Sequence, residues 1–168
     1  AADHGEVHFS SRARAAGLEN VRFERGDAQV HALPDAGFDA VVSRFGVMFF
    51  DDPHAAFANM ARSLRSGGRV VFACWQDLVA NEWLMVPVGA ALPHVPMPDL
   101  GEPGGPGPFS LSDPDHIRSV LEGVGFADVS VDDFRCPMLM GATVEDTVVF
   151  MQGTDMAAIR AVAKATGR

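Results

Sequence analysis

The chain has 168 residues, a hydrophobic fraction of 48% and a formal net charge of −9, which is typical of one globular domain with a sizeable core. The acidic balance disfavours nucleic acid as the main partner, and no apolar run reaches the roughly 18 residues of a membrane span, so no membrane partner is expected either. The chain has no tyrosine, a single lysine (Lys164) and no G-x-x-x-x-G-K-[ST] pattern, which excludes a Tyr/Lys-dependent dehydrogenase and a P-loop phosphotransferase. Its two cysteines, Cys74 and Cys136, form neither a disulfide framework nor a zinc motif, so we expect a reducing, cytoplasmic location.

The first eleven residues carry a weak strand pattern at Glu6-Val7-His8-Phe9. On such a strand His4, Glu6 and His8 would share one face, and two imidazoles with a carboxylate suit iron or zinc. The alternative, which we favour, is a solvated terminus without a metal site, because chain ends are commonly unstructured.

A short helix is predicted over Arg12–Ala16, ended by Gly17, and the alternation of Val21–Glu24 predicts a strand. Asp27 comes just after the carboxyl end of this strand, where ligands of parallel sheets bind. The alternative interpretation of Asp27 is a turn carboxylate that accepts a hydrogen bond from its own backbone. Both interpretations remain open at this point.

The clearest pattern in the chain is a β-loop-α-β unit. Phe38–Ser43 and Arg69–Trp75 are apolar runs, as in strands that are covered on both faces. Between them Asp51-Asp52-Pro53 starts a helix that is predicted over Pro53–Arg65, and Gly67 takes the left-handed position after it. Because ligands bind beyond the carboxyl ends of parallel strands, residues 43–47 and 74–77 are candidate site segments.

The remaining helices, strands and loops are predicted from helix-capping residues, from apolar stripes, and from the prolines and glycines that end regular structure. A Pro/Gly-rich loop is predicted over Pro93–Pro108. Helices are predicted over Glu82–Leu92 (with a kink or an early break at Pro87), Ser112–Val124, Thr143–Gln152 with Thr143 as cap, and Asp155–Thr166. Strands are predicted over Val129–Phe134 and Pro137–Ala142.

Several of these stretches together resemble a known family. The run Gly17–Phe23, the triplet Gly26-Asp27-Ala28 and the strand Phe38–Ser43 resemble class I S-adenosylmethionine-dependent methyltransferases. The run Arg44–Phe50, the helix end Leu64–Gly68 and the strand after it are similar to the small-molecule branch, which includes the ubiquinone and menaquinone type enzymes. The resemblance covers about residues 12–152, and its specificity lies in the order and spacing of the pieces.

The resemblance implies an α/β, Rossmann-like methyltransferase fold, with a mostly parallel sheet and helices on both faces. The family's glycine-rich loop, which wraps the methionine carboxylate, has no counterpart in this chain. We therefore expect the N-terminal part of the fold to be missing, so that residues 1–168 form a single, partial domain with 93–108 as a loop. The strand at Val21–Glu24 would then lack a neighbour, and its unpaired edge favours a homodimer.

The resemblance also implies a cofactor and the residues that bind it. Asp27 would bond the adenine amino group, the Ala28 N–H would contact the ring, and Ser43, Arg44 and Phe45 would lie beside the methionine and adenosine. Trp75 and the loop 93–108 would border the acceptor pocket. The expected function is methyl transfer from S-adenosylmethionine to a small-molecule acceptor, with the catalytic residues unassigned and no metal.

The missing glycine-rich loop supports an alternative of a different class, a truncated, non-catalytic methyltransferase-like module that acts through protein association. A nicotinamide-dependent oxidoreductase is a third reading, disfavoured because the G-x-G-x-x-G fingerprint is lacking. The identity of the acceptor does not follow from the sequence, since one fold serves many substrates.

Overall fold

The computed structural model describes residues 11–93 and 105–153. Residues 11–15 are helical (α1), and two short 3₁₀ helices lie at Val47–Phe49 and Leu78–Ala80. The other elements, in chain order, are β1 (Phe38–Arg44), α2 (Pro53–Ser63), β2 (Leu64–Ala73), α3 (Glu82–Ala91), α4 (Pro114–Gly123) and α5 (Val144–Gly153).

The centre of the fold is the predicted β-α-β unit. Strands β1 and β2 pair in parallel, with Val41 opposite Val70 and Ser43 opposite Phe72. The pairing is interrupted early, since Phe38 faces Leu64 while Ala40 faces Arg69, so residues 65–68 are looped out of the ladder. Gly67 lies in this loop with φ of +75°, the left-handed conformation expected of it. The strand thus begins at Leu64, directly after the helix, instead of at Arg69.

Helix α2 begins as its sequence predicts. The Asp52 carboxylate accepts a hydrogen bond from the Ala55 N–H at 3.0 Å, and Pro53 takes the first helical position. Phe57 and Met60 point into the core, with Phe57 only 1% exposed. Burial of one such side chain contributes roughly 1.5–3 kcal/mol, so this stripe anchors the helix to the sheet.

One face of the sheet carries the hydrophobic core. The core cluster joins α2, α4 and the segments around Val47 and Leu111, and the inward side chains Val41, Val70 and Phe72 pack against it. Its fully buried members are Val47, Phe57, Met60, Leu111, Ile117, Val120 and Leu121. The α/β class with parallel strands is therefore confirmed.

The opposite face of the sheet differs from the expectation of helices on both sides. Val42 is 77% exposed and Val71 is 57% exposed, and no helix in residues 11–93 or 105–153 covers them. The continuous apolar runs predicted that helices would cover both faces of the strands. Instead only alternate residues of each strand are half-buried, because both core helices pack on the same side of the sheet.

Three predicted strands are not formed. Val21–Glu24, Val129–Phe134 and Pro137–Ala142 have no strand conformation, and Phe134 is 83% exposed. Alternation of apolar residues supports a strand only when another strand offers backbone partners, and within the described residues the ladder consists of β1 and β2 alone. The unpaired edge that we had expected at Val21–Glu24 therefore does not exist as a strand edge.

The three helices after β2 form where the sequence predicts them, but their first and last residues differ from the predicted bounds. Helix α4 begins after Asp113, whose carboxylate accepts from the Asp115 N–H at 2.9 Å, so Asp113 and not Ser112 is the cap. Helix α5 begins after Thr143, whose hydroxyl accepts from the Asp146 N–H at 3.1 Å, as predicted. Helix α3 continues through Pro87 to Ala91, so it does not break early at the proline.

Some expectations fall outside the described residues. These are the strand at Glu6–Phe9 with its metal face, most of the loop 93–108 and the helix over Asp155–Thr166. In the part of the chain that is described, no helix is long and apolar enough to cross a membrane. The same residues contain no group of three or more His, Cys, Asp or Glu side chains placed to hold a metal ion.

Candidate functional site

The ends of β1 and β2 are joined by an aromatic contact. Phe45, the first residue after β1, stacks on Trp75, with ring centroids 4.3 Å apart and planes 13° from parallel. The Phe45 N–H donates to the Ala73 carbonyl at 2.9 Å, which continues the ladder by one bond. Phe45 has φ of +62°, a conformation that costs a residue with a Cβ roughly 1–2 kcal/mol. Such backbone strain is often found at ligand sites, where the surroundings impose it.

A third segment lies over this edge. The carbonyl of Met48, in the 3₁₀ helix after β1, accepts bonds from the Gly107 N–H at 2.9 Å and from the Ser110 hydroxyl at 2.6 Å. The Trp75 N–H contacts the Met48 sulfur at 3.4 Å. The segment that follows the Pro/Gly-rich loop is therefore fixed beside the carboxyl ends of both strands.

Cys74, the first residue after β2, has a pKa displaced from its ordinary value. Burial raises the pKa of the Cys74 thiol, and its Sγ–H donates to the Leu111 carbonyl at 3.1 Å. A raised pKa keeps the thiol protonated near neutral pH, so Cys74 acts as a packing residue and a weak donor, not as a nucleophile.

Asp27 lies in a tight turn that is tied to the start of α2. Its Oδ1 accepts from the Gln29 backbone N–H at 2.9 Å, and the Gln29 amide nitrogen lies 3.3 Å from both carboxylate oxygens. The side-chain oxygen of Gln29 accepts in turn from the Asp52 N–H at 2.7 Å. The turn interpretation of Asp27 is thus correct, and since a carboxylate offers about four lone-pair positions, this exposed group keeps room for a further donor.

The side chain of Asn59, on α2, is hydrogen-bonded to the same turn. Its Nδ2 donates to the Ala28 carbonyl at 2.8 Å and to the His31 carbonyl at 2.9 Å, and its Oδ1 accepts from Arg62. The side chain is buried, with 9% exposed, so these bonds are shielded from water. Asn59 was not predicted as a structural residue. The sequence feature that could have revealed it is a polar residue next to Met60 and near Phe57, on the apolar stripe of α2.

The predicted site residues divide into two groups along one edge of the sheet. Asp27 and Ala28 lie at the N-terminus of α2, which the short loop 45–52 connects to the end of β1. Ser43 is half-buried on the inner face, whereas Arg44 is exposed on the outer face, so the two side chains diverge. The Phe45 ring stacks on that of Trp75. Their roles in binding remain predictions.

A residue that sequence reasoning did not single out for the site is Trp83 at the start of α3. Its ring lies 5.2 Å from that of Trp75, at an interplanar angle of 42°. The indole Nε1 is buried without a hydrogen-bond partner in the described part of the chain. Only the helical position of Trp83 was predicted, because the contact with Trp75 depends on how α3 packs.

Comparison with known proteins shows which proteins these elements are similar to. Residues 5–72 match a family described as methyltransferase domain. An uncharacterized methyltransferase, YcgJ, of Bacillus subtilis is 40% identical over 60 residues, which are 36% of this chain and 24% of that protein. The demethylmenaquinone methyltransferase of Deinococcus radiodurans is 48% identical over 52 residues, 31% of this chain and 22% of that protein. An uncharacterized protein of Mycobacterium tuberculosis is 38% identical over 72 residues, 42% of this chain and 26% of that protein.

The matched stretches thus cover about a quarter of each of these relatives. A solved structure, the YcgJ protein of Bacillus subtilis, superposes with a TM-score of 0.54 over 89% of this chain and 64% of that chain, at 21% identity. This likeness shows the fold, including the parallel strands with their helices. The match to the methyltransferase-domain family is limited to residues 5–72, which include β1, α2 and most of β2.

Proposed function

We propose that this chain binds S-adenosylmethionine at the carboxyl edge of β1 and β2 and serves methyl transfer to a small-molecule acceptor. The observation that supports this most is the position of the Asp27 turn, tied through Gln29 to the Asp52 N–H at the N-terminus of α2. The Asp27 carboxylate is exposed, and the loop 45–52 links the start of α2 to Phe45, which stacks on Trp75. The match of residues 5–72 to the methyltransferase-domain family supports the reaction class.

The residues present fit the adenosine half of such a cofactor. Asp27 would accept a hydrogen bond from the adenine amino group, and the Ala28 N–H and the Phe45 ring would contact the base. Ser43 and Arg44 would lie beside the remainder of the molecule. When bound, the cofactor supplies an activated methyl group on a sulfonium.

The contribution of the protein to such a transfer is position and exclusion of water. The Phe45–Trp75 stack and the segment 107–110 fixed on Met48 form walls at the edge of the sheet. An acceptor held against these walls would meet the methyl group in line, and its nucleophilic atom would be stripped of water. We assign no general base.

Calorimetry with S-adenosylhomocysteine tests the cofactor site. The wild-type chain should release or take up heat with saturable binding, and Asp27→Ala should weaken the affinity about tenfold or more, because a bond to a charged acceptor is lost. Asp132→Ala, which removes an exposed carboxylate in the segment after α4, should leave the affinity unchanged. The absence of heat at millimolar ligand would refute the proposal.

One observation favours a second function, protein association. The outer face of the two-stranded sheet exposes Val42 and Val71, and apolar sheet surface of this kind is usually covered. A homodimer that uses this face, in the cytoplasm where free cysteines persist, is the form we propose. Sedimentation of the wild type and of Val71→Glu tests it: a monomer at all concentrations for both chains would exclude the dimer.

A further inference from the structure

The side chain of His31 folds back over the residues that precede the Asp27 turn. Its Nε2 lies 2.9 Å from Glu24 Oε1, and because an ionised carboxylate only accepts, this nitrogen carries a proton and donates. The ring also lies against Gly26, where an added Cβ would come within 2.5 Å of His31 Nδ1. A side chain at position 26 would therefore displace the ring. We call the contact of His31 with Glu24 and Gly26 the imidazole clasp.

The imidazole clasp joins the turn to a segment that has few other attachments. Val21–Glu24 forms no strand, and in the described part of the chain the bond to His31 is the one hydrogen bond that residues 19–26 make with any other residue. The turn itself is bonded to α2 through Asn59, which donates to the carbonyls of Ala28 and His31. The clasp thus fixes the incoming chain to a turn that is already anchored on α2.

Asp27 lies between the two ends of the clasp. Its carbonyl accepts from the N–H groups of Val30 and His31 at 3.0 and 2.7 Å, so residues 27–31 form one closed turn. Its carboxylate is bonded within this turn, to the Gln29 N–H at 2.9 Å. If the clasp opened, the backbone before Asp27 would be free to move. A ligand that needs the carboxylate in place would then have to order that backbone on binding, at a cost in affinity.

We propose that His31 is a positioning residue of the cofactor site. Its imidazole holds the backbone on both sides of Asp27, so that the carboxylate is already in place to accept from the amino group of adenine. His31 acts through Asp27 and not by contact with the ligand. Because the Glu24 side chain is exposed, its bond to His31 contributes little to folding, and the main effect of the clasp is on ligand affinity. This inference rests on the proposed cofactor site and adds a residue that controls its order.

A double-mutant cycle between Gly26 and His31 tests the clasp. Gly26 has no positive φ, so its backbone accepts alanine and the main obstacle to a Cβ is the imidazole ring. Gly26→Ala alone should therefore weaken the binding of S-adenosylhomocysteine about tenfold, because the ring is forced off the backbone. When His31→Ala has already removed the ring, the same substitution should weaken binding by less than about threefold.

Conservative variants separate the hydrogen bond from the bulk of the ring. His31→Ala should weaken the analogue about fivefold, whereas His31→Gln keeps an N–H donor for Glu24 and should stay within about twofold of wild type. Glu24→Ala and Glu24→Gln form the matching pair at the other end of the bond. His116→Ala removes an exposed imidazole on α4 and is the control that should leave the affinity unchanged. A role in stability alone would shift urea unfolding without this pattern in affinity.

Amide hydrogen exchange measures the order of the turn without a ligand. The N–H groups of Gln29 and Val30 donate to the carboxylate and to the carbonyl of Asp27, so their protection reports on the turn. His31→Ala should lower the protection of both amides about fivefold or more, and His31→Gln should keep it near that of wild type. The amide of Val120, on α4, should be equally protected in all of these chains.

The outcomes separate this inference from the proposed function. If the analogue binds and His31→Ala changes neither its affinity nor the protection of the turn, the inference is overturned and the cofactor site stands. If Gly26→Ala weakens binding equally with and without the imidazole, Gly26 meets the ligand itself and the inference is again overturned. If the analogue does not bind while His31→Ala loosens the turn and His31→Gln does not, the positioning of Asp27 stands and the proposed function fails. Should His31→Ala not fold, Glu24→Ala breaks the same bond at an exposed side chain and decides these cases.

Discussion

Replacement of Asn59 by alanine tests whether the Asp27 turn depends on α2. The side chain makes two donations, to the carbonyls of Ala28 and His31, at 2.8 and 2.9 Å, and these bonds are shielded from water. An ordinary hydrogen bond contributes about 1 kcal/mol net, and an acceptor left without a partner costs more, so Asn59→Ala should lower the free energy of unfolding by about 2 kcal/mol.

The same substitution should weaken a ligand held by the turn. With its tether gone, the segment 27–31 must be ordered when the ligand binds, and that cost should reduce affinity for S-adenosylhomocysteine about fivefold. Asn59→Asp should be worse than Asn59→Ala for stability, because a carboxylate oxygen would then face two carbonyl oxygens with no proton between them.

Urea unfolding followed by tryptophan fluorescence measures the stability, and calorimetry measures the affinity. Asn20→Ala, at an exposed asparagine, is the matched control and should change the free energy of unfolding by less than about 0.5 kcal/mol. If Asn59→Ala and Asn59→Asp both lie within about 0.5 kcal/mol of wild type and bind the analogue equally well, the turn does not depend on Asn59 and the reasoning is wrong.

The remaining predictions concern the β-α-β unit and the cysteines. Asp52→Ala removes the cap of α2 and should lower the midpoint of thermal unfolding by an amount equivalent to about 1 kcal/mol; an unchanged midpoint would mean that the Ala55 N–H finds another acceptor. Gly67→Ala meets open space but a positive φ, so it should destabilise by roughly 1 kcal/mol in urea, and a neutral result would show that the loop relaxes. Phe57→Ala should cost about 3–5 kcal/mol, and a loss below about 1 kcal/mol would contradict its place in the core. Burial raises the pKa of the Cys74 thiol and limits access to it, so iodoacetamide at pH 8 should label exposed Cys136 before Cys74; equal labelling rates by mass spectrometry would contradict the burial.

Sequence reasoning succeeded where the structure is decided locally. Asp52 and Pro53 start a helix through bonds and torsion angles within four residues, and Gly67 has the predicted positive φ, although it lies in the 65–68 loop and not at the end of α2. The core stripe of α2 follows from the helical repeat. These signals need no knowledge of the rest of the chain, so the order of the β-α-β unit and the start of α2 were predicted correctly, whereas β2 begins at Leu64 instead of Arg69.

Sequence reasoning failed where the outcome depends on distant segments. Val129–Phe134 alternates as a strand should, yet its backbone finds no strand to pair with, and the apolar runs of β1 and β2 are covered on one side only. The contacts of Asn59 with the turn and of Trp83 with Trp75 join residues that are far apart or lie on separate elements. Both contacts depend on how the elements pack against each other, and the apolar periodicity of a single element carries no information about that packing.

The direct junction of α2 and β2 has a consequence for local opening. Leu64 is at once the residue that closes the helix, with its N–H bonded to the Met60 and Ala61 carbonyls, and the first residue of the strand, opposite Phe38. Because no residue separates the helix from the strand, fraying of the last turn of α2 should also break the backbone pairing of Leu64 with Phe38. The amides of the last turn of α2 and of the Leu64–Phe38 pair should therefore exchange with deuterium at a common rate, as one foldon.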